Sequence, residues 1–203
     1  DNCGGSMLVP LFCDGCGADY PERRGMSAFA ILSLPPVFPL EAGILDRIEA
    51  DITSRLHPDR WQHKGENNHF KALLAQSAVN EALKAVRGPF HRAETLLGLL
   101  NKTECNSEET RPRLPTEFLV EQLEIQEEIE TGLSPERKRL LQAQVRDELG
   151  SLEEALHSGF AKLNSDDEAS KTWTTTVAGL QETIDRARYW RNVRSSLRSP
   201  GPR

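Results

Sequence analysis

The chain has 203 residues, with 25 Lys+Arg against 31 Asp+Glu, a formal net charge of −6, and 37% hydrophobic against 28% charged residues. That length suffices for one large or two small domains with a real core. The acidic balance and the 6% aromatic content exclude a nucleic-acid binder held by phosphate neutralisation or by base stacking. No apolar run approaches the roughly 20 residues that span a bilayer, so no transmembrane protein is expected and the acidic surface points to protein partners or small ligands.

The chain opens on Asp1 rather than Met, as expected of a processed or trimmed start. Residues 1–25 are Gly-rich and carry Cys3, Cys13 and Cys16 with a turn signal at nearly every Gly, which predicts a small appended module. Three crowded cysteines with Cys105 far away are a poor disulfide framework; a reducing compartment and a metal site are expected, with Cys105 a bystander. Phe12-Cys13-Asp14-Gly15-Cys16-Gly17 reads as a zinc knuckle, two thiolates spaced to share one tetrahedral ion.

From Leu40 the pattern changes. Ile44, Ile48, Ile52 and Leu56, with Leu45 beside them, form one stripe of an amphipathic helix, with Pro39 in its first turn and its end at His57-Pro58. A polar loop, DRWQHKGENN, follows. A second long helix is predicted over residues 67–86 with Phe70, Leu73, Leu74, Ala78, Ala82 and Leu83 inward, capped by Gly88, and Pro89 opens a shorter one carrying Leu96, Leu97 and Leu100. Residues 26–100 thus form an antiparallel helical hairpin domain, and the polar, proline-containing residues 101–115 form a linker.

Residues 116–198 offer three helices. The first covers 116–130 and ends at Gly132. Ser134 and Pro135 start the second, whose inward residues are Leu141, Val145, Leu149, Leu152, Leu156 and Leu163, and the third carries Trp173, Val177, Leu180, Ile184 and Ala187 before a tail at 199–203. An all-α architecture is expected: the Cys-rich module, the hairpin domain and a three-helix bundle.

Chemistry concentrates at two places. Leu56-His57-Pro58-Asp59-Arg60 stands at the break between two antiparallel helices, and it resembles the His-Pro-Asp signature of a J-domain, with Asn80, Ala82, Leu83, Pro89, Arg92 and Ala93 in J-domain-like positions. On the first bundle helix, Phe118, Gln122, Ile125 and Ile129 make the core stripe at 100° per residue, whereas Leu119 and Leu123 lie roughly 100° to 140° away and Val120 further still. Glu124 and Glu127 border this second apolar arc, and Tyr189 falls off the core stripe of the last helix. An apolar patch with an acidic rim suits a protein partner; the alternative is a bundle helix that buries a wide arc between two neighbours.

Residues 118–129, following a J-domain after a short linker, resemble the opening of the C-terminal domain of the HscB co-chaperones of iron–sulfur cluster assembly, and RYWRNVRSS at 188–196 resembles that family's last helix. The resemblance covers about residues 26–198. It implies a non-enzymatic co-chaperone of the bacterial cytoplasm, or alternatively the mitochondrial matrix. Its J-domain would stimulate the ATPase of an HscA/DnaK-type chaperone through His57, Pro58 and Asp59, with Arg47, Arg55 and Arg60 steering and Glu49 and Asp51 diluting them. Its bundle would hold the IscU-type scaffold through Leu119, Val120, Leu123, Glu124, Glu127 and Tyr189, while Thr131 stands where the family has a further acidic residue. It also implies that Cys3-Gly4-Gly5 closes a second knuckle whose first cysteine would fall one residue before Asp1, giving zinc at Cys3, Cys13 and Cys16; either the motif is trimmed there, or a His, water or partner completes the site. Two other readings remain: a J-domain protein for another client, and, distantly, a metal-dependent hydrolase using His57, Asp59, His63 and His69, whose spacing matches no helical ligand pair.

Overall fold

The computed structural model describes residues 7–9, 12–13, 16, 25–62, 66–100, 114–164 and 171–198. The chain divides into two compact units, Asp1–Leu99 and Leu100–Arg203. The expected linker falls almost entirely outside the described residues.

The first unit opens on a feature that the all-helical expectation lacked. Strands β1 (Met7–Val9) and β2 (Phe12–Cys13) pair antiparallel, Met7 opposite Cys13 and Val9 opposite Phe12. Apolar residues on both sides of a short connection, with the β-branched Val9 on one and the aromatic Phe12 on the other, favour this pairing, and β2 lies against a later helix, α4. A short α1 (Ala28–Ile31), not anticipated, is capped by Ser27, whose Oγ accepts from the Ala30 amide at 3.1 Å. It brings Phe29 and Leu32 into the core.

Helix α2 (Ile44–Leu56) starts later than expected. Gly43 sits at φ 75°, a left-handed conformation that no helix continues through, so Pro39 lies in the preceding bend and not in the first turn. Leu45, Ile52 and Leu56 are buried, while Ile44 and Ile48 are half-buried. The polar loop after His57 is also partly helical. Pro58 opens α3 (Pro58–Gln62), and Trp61, only 2% exposed, is drawn into the core.

Helix α4 (Glu66–Arg87) presents a different face from the one its large side chains suggest. Ala72, Ala75, Val79, Ala82, Leu83 and Val86 are buried, whereas Phe70 (59% exposed), Leu73 and Leu74 face solvent. Small residues let α1, α2 and α3 all pack against α4. Arg92, from α5 (Pro89–Leu100), closes the unit. Its guanidinium donates to the Val86 and Phe38 carbonyls at 2.8 Å each and lies over the Phe38 ring.

The second unit is the expected bundle: α6 (Thr116–Thr131), α7 (Pro135–Leu163) and α8 (Lys171–Arg198). Gly132, at φ 102°, ends α6, and Ser134 Oγ accepts from the Arg137 amide at 3.1 Å to start α7. Helices α7 and α8 form the long antiparallel pair. Their core combines Leu141, Val145, Leu149, Leu156 and Phe160 with a stripe on α8. That stripe continues beyond Ala187 through Trp190, Val193 and Leu197. Leu152 and Leu163 are only half-buried.

Two glycines of α7 separate packing from propensity. A Cβ on Gly159 would come 2.6 Å from Leu180 Cδ2 and 3.0 Å from its Cγ, whereas one on Gly150 would meet nothing within 4 Å. Gly150→Ala is therefore expected to stabilise by up to about 1 kcal/mol, the helix-propensity difference. For Gly159→Ala the same gain is outweighed by overpacking of about 1–3 kcal/mol, because Leu180 is itself buried. Thermal melts of the two variants should shift in opposite directions.

Candidate functional site

His57 ends α2 with φ −56° and ψ 128°, the extended geometry that a following proline requires. The turn thus projects two side chains into solvent, His57 and Asp59, both exposed. They interact only loosely: the Asp59 amide donates to His57 Nδ1 at 3.4 Å, and that nitrogen lies 3.5 Å from Asp59 Oδ2. Behind them the turn is anchored, because buried Trp61 donates through Nε1 to the Arg55 carbonyl at 3.2 Å. Arg60 adds a second tie through Nη1 to the Ser54 carbonyl at 3.0 Å. A short, pinned helix therefore presents an exposed histidine–aspartate pair.

The three arginines expected to steer a partner are each engaged within the chain. Arg47 pairs with Glu41, Arg55 with Asp51 at 3.3 Å, and Arg60 with the Ser54 carbonyl. Along α2, Asp46, Glu49, Ala50, Thr53, Ser54 and His57 line a shallow open groove that leads to the turn. Arg87 on α4 braces its far end by pairing with both Asp46, at 2.7 Å, and Glu49. Its guanidinium is held above its usual range, chiefly by the hydrogen bond to Asp46, with desolvation opposing it and Glu49 adding to it. The face beside His57 is thus of mixed sign.

On α6, Phe118, Gln122 and Ile125 are buried as the period predicts, and Ile129 is half-buried. The second arc is not covered by a neighbouring helix: Leu119 is half-buried, Val120 is exposed and Leu123 is 65% exposed, with Glu124 and Glu127 exposed beside them. From α8, Tyr189 reaches the edge of the same helix, its ring edge-on to Phe118 at 5.8 Å between centroids, and it is itself exposed. Arg186 stacks on the Phe118 ring at 5.1 Å. An apolar, acid-bordered strip is therefore open on the bundle.

Of the cysteines expected to bind metal, Cys13 is buried at the end of β2 and Cys16 is exposed in a turn; Cys3 lies outside the described residues, as do Cys105 and His63. The pair would supply two of the four donors that a structural zinc takes, half of such a site. Among the described residues no group of three or more His, Cys, Asp or Glu could hold a metal ion, and His57, Asp59 and His69 do not form one. Among the described residues, too, no helix is long and apolar enough to cross a membrane.

The family model described as the HSCB C-terminal oligomerisation domain matches residues 114–198, the whole bundle. The co-chaperone protein HscB homolog of Chromobacterium violaceum is 31% identical over 133 residues, 63% of this chain and 75% of that protein. The chain belongs to the HscB co-chaperone family. The HscB homolog of Vibrio vulnificus is 32% identical over 105 residues, spanning 52% of this chain and 60% of that protein. Among solved structures, human co-chaperone HscB shares the fold with a TM-score of 0.67 at 19% identity, covering 97% of this chain and 95% of that one. HscB from Vibrio cholerae does so at 0.61 and 20% identity, covering 85% and 95%. HscB proteins are co-chaperones and not enzymes, which sets aside the hydrolase reading of the histidines.

Proposed function

We propose that this HscB-family chain couples an IscU-type iron–sulfur scaffold to an HscA/DnaK-type chaperone and stimulates the chaperone's ATP hydrolysis. The observation that carries the reading is the His57–Asp59 turn, exposed in front and pinned behind by Trp61. A motif that bound only within the fold would be buried. The bundle would hold the scaffold through Leu119, Val120, Leu123, Glu124, Glu127 and Tyr189, and tethering both activities to one chain raises their effective concentration. No chemistry is asked of the protein itself. The compartment fitting this role is a bacterial cytoplasm or a mitochondrial matrix.

The test is steady-state ATP hydrolysis by a purified HscA-type chaperone with the chain, with the scaffold, and with both. The combination is expected to stimulate more than either alone. Stimulation by the chain with no added effect of the scaffold would favour a J-domain protein serving another client.

A structural zinc held by Cys3, Cys13 and Cys16 is part of the proposal, since a Gly-rich module of some 25 residues has little apolar surface to bury and metal binding there amounts to folding energy. Cys13→Ser is expected to release the ion, as read by elemental analysis of the purified protein, while His57-dependent stimulation is retained. A Cys placed immediately before Asp1 should tighten metal binding. No metal in either form would mean that these are ordinary thiols.

A further inference from the structure

The back of the α7–α8 hairpin, on the side away from α6, gathers cations that the bundle does not use. Gly159 of α7 lies against Leu180 of α8, which sets the antiparallel register. Counting outward at equal rise, Leu141 comes level with Arg198 and Val145 with Arg194. Angle then separates the two sides of the seam. On α7, Arg137 and Gln144, which reach Glu128 and Glu121 of α6, lie about 40° and 60° to one side of buried Leu141. Arg139 and Arg146 lie about 160° and 140° to the other side. On α8, Arg186 and Tyr189, which hold the Phe118 ring of α6, lie about 40° and 100° to one side of buried Trp190. Arg194, Arg198 and Arg191 lie about 40°, 80° and 100° to the other. Both sets of arginines therefore flank the α7–α8 seam opposite α6, and all but half-buried Arg191 are exposed.

This face is basic in a chain whose net charge is −6. Residues 185–198 hold five arginines against one acid, Asp185, which Arg188 takes up at 2.9 Å. On α7, Asp147 pairs with Arg146 at 2.9 Å, an exposed contact that contributes little, and Glu136 and Glu153 stand toward the two ends of the row. Arg139, Arg194 and Arg198 have no ion-pair partner among the described residues. The arginines that close α8 suit the negative end of its helix dipole, but α7 carries Arg137, Lys138 and Arg139 near the positive end of its own, where cations are unfavourable. Glu128 compensates Arg137. Nothing in the bundle compensates Arg139, and the arginines of α8 end beside it.

We infer that the back of the α7–α8 hairpin docks an acidic, extended segment of a partner protein. The rows 139–146 and 191–198 are each about 10 Å long, the span of about three residues of extended chain, so a short run of Asp or Glu fills the face. The planar fork of arginine suits carboxylates in particular. A nucleic acid would run past so small a patch onto an acidic surface, including α6, whose charged residues are all glutamates. The face lies across the bundle from the strip on α6, so this partner and the scaffold need not compete, and the inference does not depend on the scaffold reading.

Fluorescence anisotropy of a labelled hexaglutamate peptide at low salt tests it. The wild-type chain is expected to bind the peptide despite its own negative charge, and Arg139→Glu/Arg194→Glu to bind it about tenfold more weakly. Lys162→Glu/Lys171→Glu, the same change of charge at the other end of the hairpin, should leave the affinity unchanged. Arg139→Glu alone should weaken peptide binding while raising the melting temperature, since an acid suits the start of α7; a residue that served the fold would move both downward. No binding by the wild-type chain, or an equal loss in the two double variants, would overturn the face. Tighter binding of a single-stranded oligonucleotide of equal charge, lost in Arg139→Glu/Arg194→Glu, would overturn the acidic-protein partner in favour of nucleic acid. Scaffold binding that persists in that variant supports a separate face, and its loss would overturn the separation.

Discussion

His57→Gln is expected to abolish stimulation of the chaperone ATPase while leaving the fold and scaffold binding intact. The two halves of that statement have separate causes. His57 lies outside the core, at the end of α2, and its partners in the turn are a 3.4 Å hydrogen bond from the Asp59 amide and a 3.5 Å approach to Asp59 Oδ2, both solvent-facing and worth little. What holds the turn is Trp61 against the Arg55 carbonyl and Arg60 against the Ser54 carbonyl, neither of which involves the imidazole. Glutamine keeps the polarity and roughly the length but removes the ring, so a loss of function without a change in melting temperature isolates recognition by the chaperone. Steady-state hydrolysis with purified chaperone and scaffold measures it. Stimulation that survives the substitution would remove the J-domain assignment.

The sequence displays these elements unevenly, for reasons visible in individual residues. Where an end is set by local chemistry, as by Gly132 after α6 and by Ser134-Pro135 before α7, it is readable because the cap acts within four residues. Gly43 shows the limit of that reasoning: a left-handed residue delays α2, although the apolar stripe and Pro39 suggest an earlier start. The inward face of α4 is read correctly at Ala82 and Leu83 and missed nearer its start, where alanines carry it. Ala72 and Ala75 allow close helix packing but contribute little hydrophobic signal, whereas Phe70, Leu73 and Leu74 dominate the pattern and remain outside. Trp61 sits alone in a polar run with no period to announce it, and only the fold shows that it anchors the exposed turn. The β1–β2 ribbon is too short for alternation to register.

The same contrast applies to the candidate binding strip. Helical angles separate Leu119, Val120 and Leu123 from the core stripe, but angle alone does not say whether a neighbour covers them; the packing of α6 leaves them open. Of the adjacent pair Leu140 and Leu141, the spacing with Val145 and Leu149 marks Leu141 as the inward one, and its burial leaves Leu140 59% exposed.

Leu119→Ala combined with Leu123→Ala is expected to weaken scaffold binding by about 2–4 kcal/mol, the range of interface hot spots, or roughly 30- to 1000-fold in Kd. The folding cost should be much smaller. Leu123 is 65% exposed and Leu119 half-buried, so little apolar area is withdrawn from the core, and alanine has if anything the higher helix propensity. The core contacts of α6 are elsewhere, in Phe118 against Tyr189, Trp190 and Arg186, and remain untouched. Calorimetry should therefore show the loss of affinity while circular dichroism shows unchanged helicity. ATPase stimulation by the J-domain alone should also persist, because His57 is far along the chain in the other unit. Normal affinity would mean that the scaffold binds another face. A collapse of helicity would mean that the arc serves folding, and the open strip on α6 would lose its claim to be a binding site.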